Sequence, residues 1–75
     1  MERIITFSVN GNEITGKLMG DAHLWSFKSE TEYFKNNFRT GEIKKHTILR
    51  ELNTINKQKE IYSLVCEEAE LKEFY

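Results

Sequence analysis

The dipeptide Asn10-Gly11 sits between two runs in which apolar and polar residues alternate, Ile4–Val9 and Glu13–Met19. Both residues tolerate the positive φ that a type I′ turn requires at its two central positions, and the twist of that turn matches the twist of paired strands. A two-residue loop leaves no freedom of register. Val9 must oppose Asn12, and every further pair follows from that one. Phe7 then faces Ile14, Ile5 faces Gly16 and Arg3 faces Leu18, which makes one face mostly apolar. Ser8 with Glu13, Thr6 with Thr15 and Ile4 with Lys17 make the other face mostly polar. Turn chemistry and alternation agree, so the chain is expected to open with a β-hairpin that buries one side.

The same segment carries a partial nucleotide-binding motif. Gly11-Asn12-Glu13-Ile14-Thr15-Gly16-Lys17 has the spacing of a phosphate-binding loop, but Leu18 stands where a magnesium-binding hydroxyl belongs. That motif also needs a helix directly after it, to point backbone amides at the phosphate. A hairpin explains these residues better, and no nucleotide site is expected.

Downstream, Gly20-Asp21 suits a turn. His23-Leu24-Trp25-Ser26-Phe27-Lys28 suits a third strand with Trp25 and Phe27 on one side. Ser29-Glu30-Thr31-Glu32 has the form of a capping box, in which Ser29 accepts from a free amide and Glu32 reaches back. Phe34 and Phe38 are one helical turn apart with Tyr33 beside them. Glu30 and Glu32 near the start and Lys35 and Arg39 near the end complement a helix dipole, and Gly41 suits a C-terminal cap. A helix near residues 30–39 is expected. Beyond Gly41 two patterns compete. Thr47–Leu52 and Ile61–Cys66 are rich in β-branched and aromatic residues and read as two strands joined by the polar loop Asn53–Lys59. Ile48, Leu52 and Ile55, and likewise Leu64, Glu68 and Leu71, fall at helical spacing, and Glu67–Glu73 has helix-forming composition. The strand pattern is favoured through about residue 66, followed by a last helical turn or tail. The fold expected is therefore a small α+β domain: an antiparallel sheet made of the N-terminal hairpin, a third strand and a C-terminal hairpin, with one helix packed on it.

At 75 residues one small domain, 1–75, is expected, with its last few residues expected to fray. So short a chain rarely holds both a core and a deep substrate cavity, which argues against an enzyme. Hydrophobic residues make up 39% of the chain, nine of them aromatic, so disorder is not expected. Cys66 is the only cysteine, so no internal disulfide forms, and a reducing, cytoplasmic setting fits. No run approaches the roughly 20 apolar residues of a membrane span, and the first residues carry no leader pattern.

Catalytic, cofactor and metal constellations are not expected. Cys66 with His23 or His46 is a formal dyad, but the thiol lies in an apolar run beside Glu67 and Glu68, which suits a packing cysteine rather than a thiolate. Two histidines and one cysteine lack metal-site spacing. The C-terminal glutamates have no evident pocket to raise a carboxyl pKa.

The formal charge of -1 conceals a segregation. Residues 28–59 hold eight basic groups (Lys28, Lys35, Arg39, Lys44, Lys45, Arg50, Lys57, Lys59) and four acidic ones. Residues 60–75 hold Lys72 against Glu60, Glu67, Glu68, Glu70 and Glu73. Asymmetry of this kind often marks a partner surface. The leading expectation is a small non-enzymatic module that binds another protein with a basic surface, through Glu67, Glu68, Glu70, Glu73, Phe74 and Tyr75. Charge would steer the encounter and the terminal aromatics would anchor it. The composition, rich in Lys, Asn, Ile and Glu with no proline, resembles that of short regulatory proteins of AT-rich bacteria and their phages. Small size, the lack of a catalytic constellation and the charge segregation extend the expectation to a phage or mobile-element inhibitor or regulator of a host protein. The alternative expectation is nucleic-acid binding through Lys44, Lys45, Arg50, Lys57 and Lys59, with sheet aromatics stacking on bases. An overall pI near 6.1 weighs against it. Exposed strand edges also make a homodimer an expectation.

Overall fold

A computed structural model describes residues 2–45 and 58–71. They form a four-stranded antiparallel sheet in meander order, with two helices. The elements in chain order are β1 (Glu2–Val9), β2 (Asn12–Gly20), β3 (Trp25–Ser29), α1 (Glu32–Asn37), β4 (Glu42–Lys44) and α2 (Lys59–Leu71).

The hairpin follows the turn chemistry. Asn10 and Gly11 both have positive φ, 52° and 79°. All of β1 pairs with β2 in the register the turn dictates, from Val9 opposite Asn12 to Glu2 opposite Met19. Ile5, Val9, Ile14 and Leu18 are buried on the expected face. Gly16 is a packing glycine. A β-carbon there would lie 2.4 Å from the Lys28 carbonyl and 2.5 Å from the Phe27 ring, so the bare backbone is what lets β3 and its aromatic close over β2.

The third strand begins two residues later than expected. Asp21 holds the amides of His23 and Leu24 in a side-chain turn, leaving neither free to pair. Trp25 then pairs with Gly20, and Phe27 with Leu18.

The expected capping box does not form. Ser29 is the last residue of β3 and is buried. Its hydroxyl donates to the Thr15 carbonyl (2.6 Å) and accepts from the Thr31 amide (3.1 Å). The Thr31 hydroxyl in turn accepts from the Thr15 amide and donates to its carbonyl, both at 3.1 Å, and so stands in for the next strand residue. With both side chains bound to β2, α1 starts only at Glu32, and Thr31 caps it without a side-chain hydrogen bond. The helix is shorter than 30–39 at both ends. Phe38 leaves it in extended geometry. Gly41, with φ 67°, closes the exit through its amide to the Phe38 carbonyl (2.7 Å) and its carbonyl to the Ser29 amide (2.9 Å).

The chain's second half requires a correction. Residues 61–66 are not a strand; they lie within the 13-residue helix α2. The β-branched run satisfied strand composition, but Ile61, Val65 and Ala69 are buried while Ser63 and Glu67 between them are exposed, which is the burial pattern of a helix and not of a strand. The fourth strand is instead the short β4, where Ile43 opposite Phe27 extends the buried face. The other expected strand, 47–52, lies outside the described residues.

The core lies between one sheet face and the helices. Phe34 of α1 meets Phe27 edge-on at 5.2 Å and stacks on Phe38 at 4.8 Å, while Trp25 packs on Tyr62 of α2 at 5.5 Å. Gln58 donates to the Asn37 side chain (2.6 Å), tying the start of α2 to the end of α1. Among the described residues, no helix is long and apolar enough to cross a membrane.

Candidate functional site

The orientation of α2 decides which charges face outward. Ile61, Val65 and Ala69 point into the sheet. On one flank Tyr62 meets Trp25 of β3. On the other, Arg3 of β1 donates to the Glu68 carboxylate (2.8 Å) and backbone carbonyl (2.7 Å). The side left to solvent displays Glu60, Ser63, Glu67 and Glu70, with Lys59 at its start. Among the described residues, no cation pairs with Glu60, Glu67 or Glu70.

Of the acidic residues expected to meet a partner, Glu67 and Glu70 stand on this stripe. Glu68 turns away to Arg3 and is half-buried. Glu73, Phe74 and Tyr75 lie outside the described residues. Glu60 belongs to the stripe and escaped the sequence pattern, because the helix was not expected to reach back that far. Its seven-residue spacing from Glu67, two helical turns, was the available signal.

Cys66 is half-buried on the Tyr62 flank, not sealed in the core as expected. Its thiol donates to Glu70 (3.4 Å). Burial first, then the Glu70 hydrogen bond and charge, push its pKa above the ordinary thiol value. That is the reverse of the electropositive setting that makes a thiolate nucleophile. Burial also raises Tyr62. His23 is exposed in the turn before β3, and His46 lies outside the described residues.

Among the described residues, the basic side chains form no single cluster. Lys44 is half-buried on the open sheet face, 3.3 Å from Glu42, which also pairs with Lys28 at 3.4 Å. Lys45 is half-buried and donates to the Ala22 carbonyl. Lys59 is exposed at the start of α2; Arg50 and Lys57 lie outside the described residues. Trp25, Phe27, Phe34 and Phe38 are spent on the core, and Tyr33 packs against it, so the open face of the sheet offers no stacking platform from these rings. An open, mostly apolar groove of about 320 Å³ runs past Met19, Gly20, Leu24, Trp25, Ser26 and Lys44, with Leu24 63% exposed at its side. Among the described residues, Lys44 is the only ionisable group lining it.

Comparison with protein families, curated proteins and solved structures finds no match to this chain.

Proposed function

We propose that this chain is a small non-enzymatic protein-binding module, an inhibitor or regulator that docks on a basic protein surface through the outer face of α2. The observation that carries this reading is the stripe Glu60, Glu67, Glu70, which no cation of the described chain neutralises. Such a stripe raises the encounter rate with a positive patch and makes association sensitive to salt. The cysteine chemistry supports the same reading, since burial and Glu70 hold the one thiol protonated. The placement of the aromatics favours it over base stacking, because the rings expected to stack are packed inside.

The test is affinity capture with the full chain and with Glu60→Lys/Glu67→Lys/Glu70→Lys. A partner is expected to bind the parent at low ionic strength and to be lost both with added salt and with the variant. If parent and variant retain the same proteins, or if retention is unaffected by salt, the reading is wrong.

A further inference from the structure

The two borders of the sheet are built differently. β4 offers three residues, of which Glu42 and Lys44 are charged, whereas β1 offers eight. In a two-residue hairpin the residues flanking the turn exchange both backbone hydrogen bonds, and the pattern then alternates. Val9, Phe7, Ile5 and Arg3 therefore bond to β2, while the amides and carbonyls of Ser8, Thr6, Ile4 and Glu2 point away from it. Among the described residues no strand pairs with that side. Natural sheets blunt such edges with lysine, proline or a bulge. The stretch Ile4–Val9 has no charge and no proline, and its pairing with β2 runs without interruption. Both faces of this edge also leave apolar surface in water. Ile4 is 65% exposed on the open face, and Phe7 stays half-buried on the covered one.

A strand laid along this edge must turn apolar side chains to the covered side and uncharged polar ones to the open side. β1 itself has that alternation, with Ile5 and Phe7 on one side and Thr6 and Ser8 on the other. A twofold axis normal to the sheet brings like faces together, so the strand that fits the β1 edge is another β1. We infer that β1 pairs antiparallel with β1 of a second copy, with Ile5 opposite Ile5 at the axis. In this register Glu2 faces Ser8 and Ile4 faces Thr6 of the other copy, so every outward residue from Glu2 to Ser8 exchanges its amide and carbonyl bonds. The two Ile4 side chains meet diagonally across the axis on the open face. On the covered face Arg3 lies opposite Phe7 of the other copy, and its stem covers the part of the ring left in water. No like charges face each other, since Glu2 meets a serine and Arg3, already bound to Glu68, meets a ring. The two α2 helices then stand on the same side of the joined sheet, with their outer faces turned the same way. The pairing goes beyond the docking reading and does not depend on it.

The experiment uses the full chain alone. Sedimentation equilibrium from about 1 μM to about 1 mM, the range of a weak association through a small interface, is expected to show the mass rising from 8.9 kDa toward twice that value. Amide exchange followed by nuclear magnetic resonance should show Ile4, Thr6 and Ser8 gaining protection over the same range. In a mixture of isotope-labelled and unlabelled chains, the α-protons of Arg3 and Phe7 from different copies should be in contact, because they face each other in a pair without hydrogen bonds. Thr6→Pro removes an outward amide and spares the bonds to β2, so Ile5 and Phe7 should stay protected while the dimer is lost. Ile4→Lys leaves the backbone untouched and sets two like charges across the axis. It should weaken the dimer about tenfold or more. A chain that stays monomeric throughout overturns the inference. So does a dimer in which Ile4, Thr6 and Ser8 gain no protection, or one that Ile4→Lys leaves as tight as the parent's. Protection of the three amides that does not change with concentration overturns it as well, since the edge is then covered within one chain. Contacts between copies that join β1 strands in another register overturn the pairing of Ile5 with Ile5.

Discussion

The two faces of the sheet differ in what holds them. On the covered face Ile5, Ile14, Leu18, Trp25, Phe27 and Ile43 meet the rings and aliphatic side chains of two helices, with almost no surface left to water. On the open face the cross-strand neighbours are polar. Thr6 and Thr15 share a hydrogen bond of 3.1 Å, Glu2 pairs with Lys17 at 2.9 Å, and Glu42 lies between Lys28 and Lys44. Exposed pairs of this kind contribute little, with a median near 0–1 kcal/mol, whereas one fully buried large side chain contributes about 1.5–3 kcal/mol. The fold therefore depends on one face and leaves the other, together with the outer side of α2, outside the core.

The sharpest way to break that asymmetry is to remove a ring from the covered face. Phe34 is fully buried between Phe27 and Phe38, and it is the main core residue of a helix only six residues long. Phe34→Ala is expected to cost about 3–5 kcal/mol. For a domain of this size that is a large fraction of a total stability of about 5–15 kcal/mol. Lys28→Ala on the open face should leave the urea midpoint close to the parent's. Equal losses for the two variants would show that the open face also carries the fold.

The next effect is smaller and lies where the two kinds of interaction meet. Arg3 occupies the covered side of β1 but reaches its rim, where its guanidinium binds the carboxylate and a carbonyl of Glu68. Both side chains are 39% exposed, so solvent screens the pair. Arg3→Met keeps the aliphatic stem and removes the charge. It should lower stability by about 1 kcal/mol, with faster amide exchange in α2 and unchanged exchange in β2. A loss as large as that of Phe34→Ala would mean that α2 is held by charge rather than by Ile61, Val65 and Ala69.

This division also explains what could be read from the sequence. The hairpin was legible pair by pair, because Asn10-Gly11 and the alternation around it are local signals that agree. The start of β3 was misjudged by two residues, since the Asp21 side-chain turn competes with pairing for His23 and Leu24. The run 61–66 misled through composition. Its buried stripe includes Ala69, which lies beyond the apolar run and carries little hydrophobic signal. The acidic surface was legible in sign and in Glu67 and Glu70. It was not legible at Glu68, whose partner Arg3 lies 65 positions away and is found only when α2 crosses the sheet. The capping box failed for a related reason. Ser29 and Thr31 satisfy local cap preferences, but the backbone of Thr15, brought alongside by the hairpin, competes for both.

The smallest expected effect belongs to the exposed turn between β2 and β3, and it is a matter of pH. The Asp21 carboxylate accepts the amides of Leu24 (3.0 Å) and His23 (2.9 Å), and these bonds, Leu24 first, hold its pKa below the ordinary aspartate value. A group depressed in the folded chain contributes stability above its unfolded pKa, near 3.9, and loses that contribution as pH falls through the lower folded value. Asp21→Asn keeps an oxygen acceptor but cannot titrate. The difference in melting temperature between parent and variant should thus be flat near neutrality and shrink as the solution is acidified below about pH 4. A carboxyl resonance of Asp21 that titrates at or above the ordinary value would show that its two amide bonds do not form in solution. The turn would then rest on Gly20, whose φ of 97° no other residue adopts without strain. Its β-carbon would lie 2.1 Å from the Leu24 carbonyl oxygen. The same site then distinguishes a turn held by backbone geometry from one held by charge.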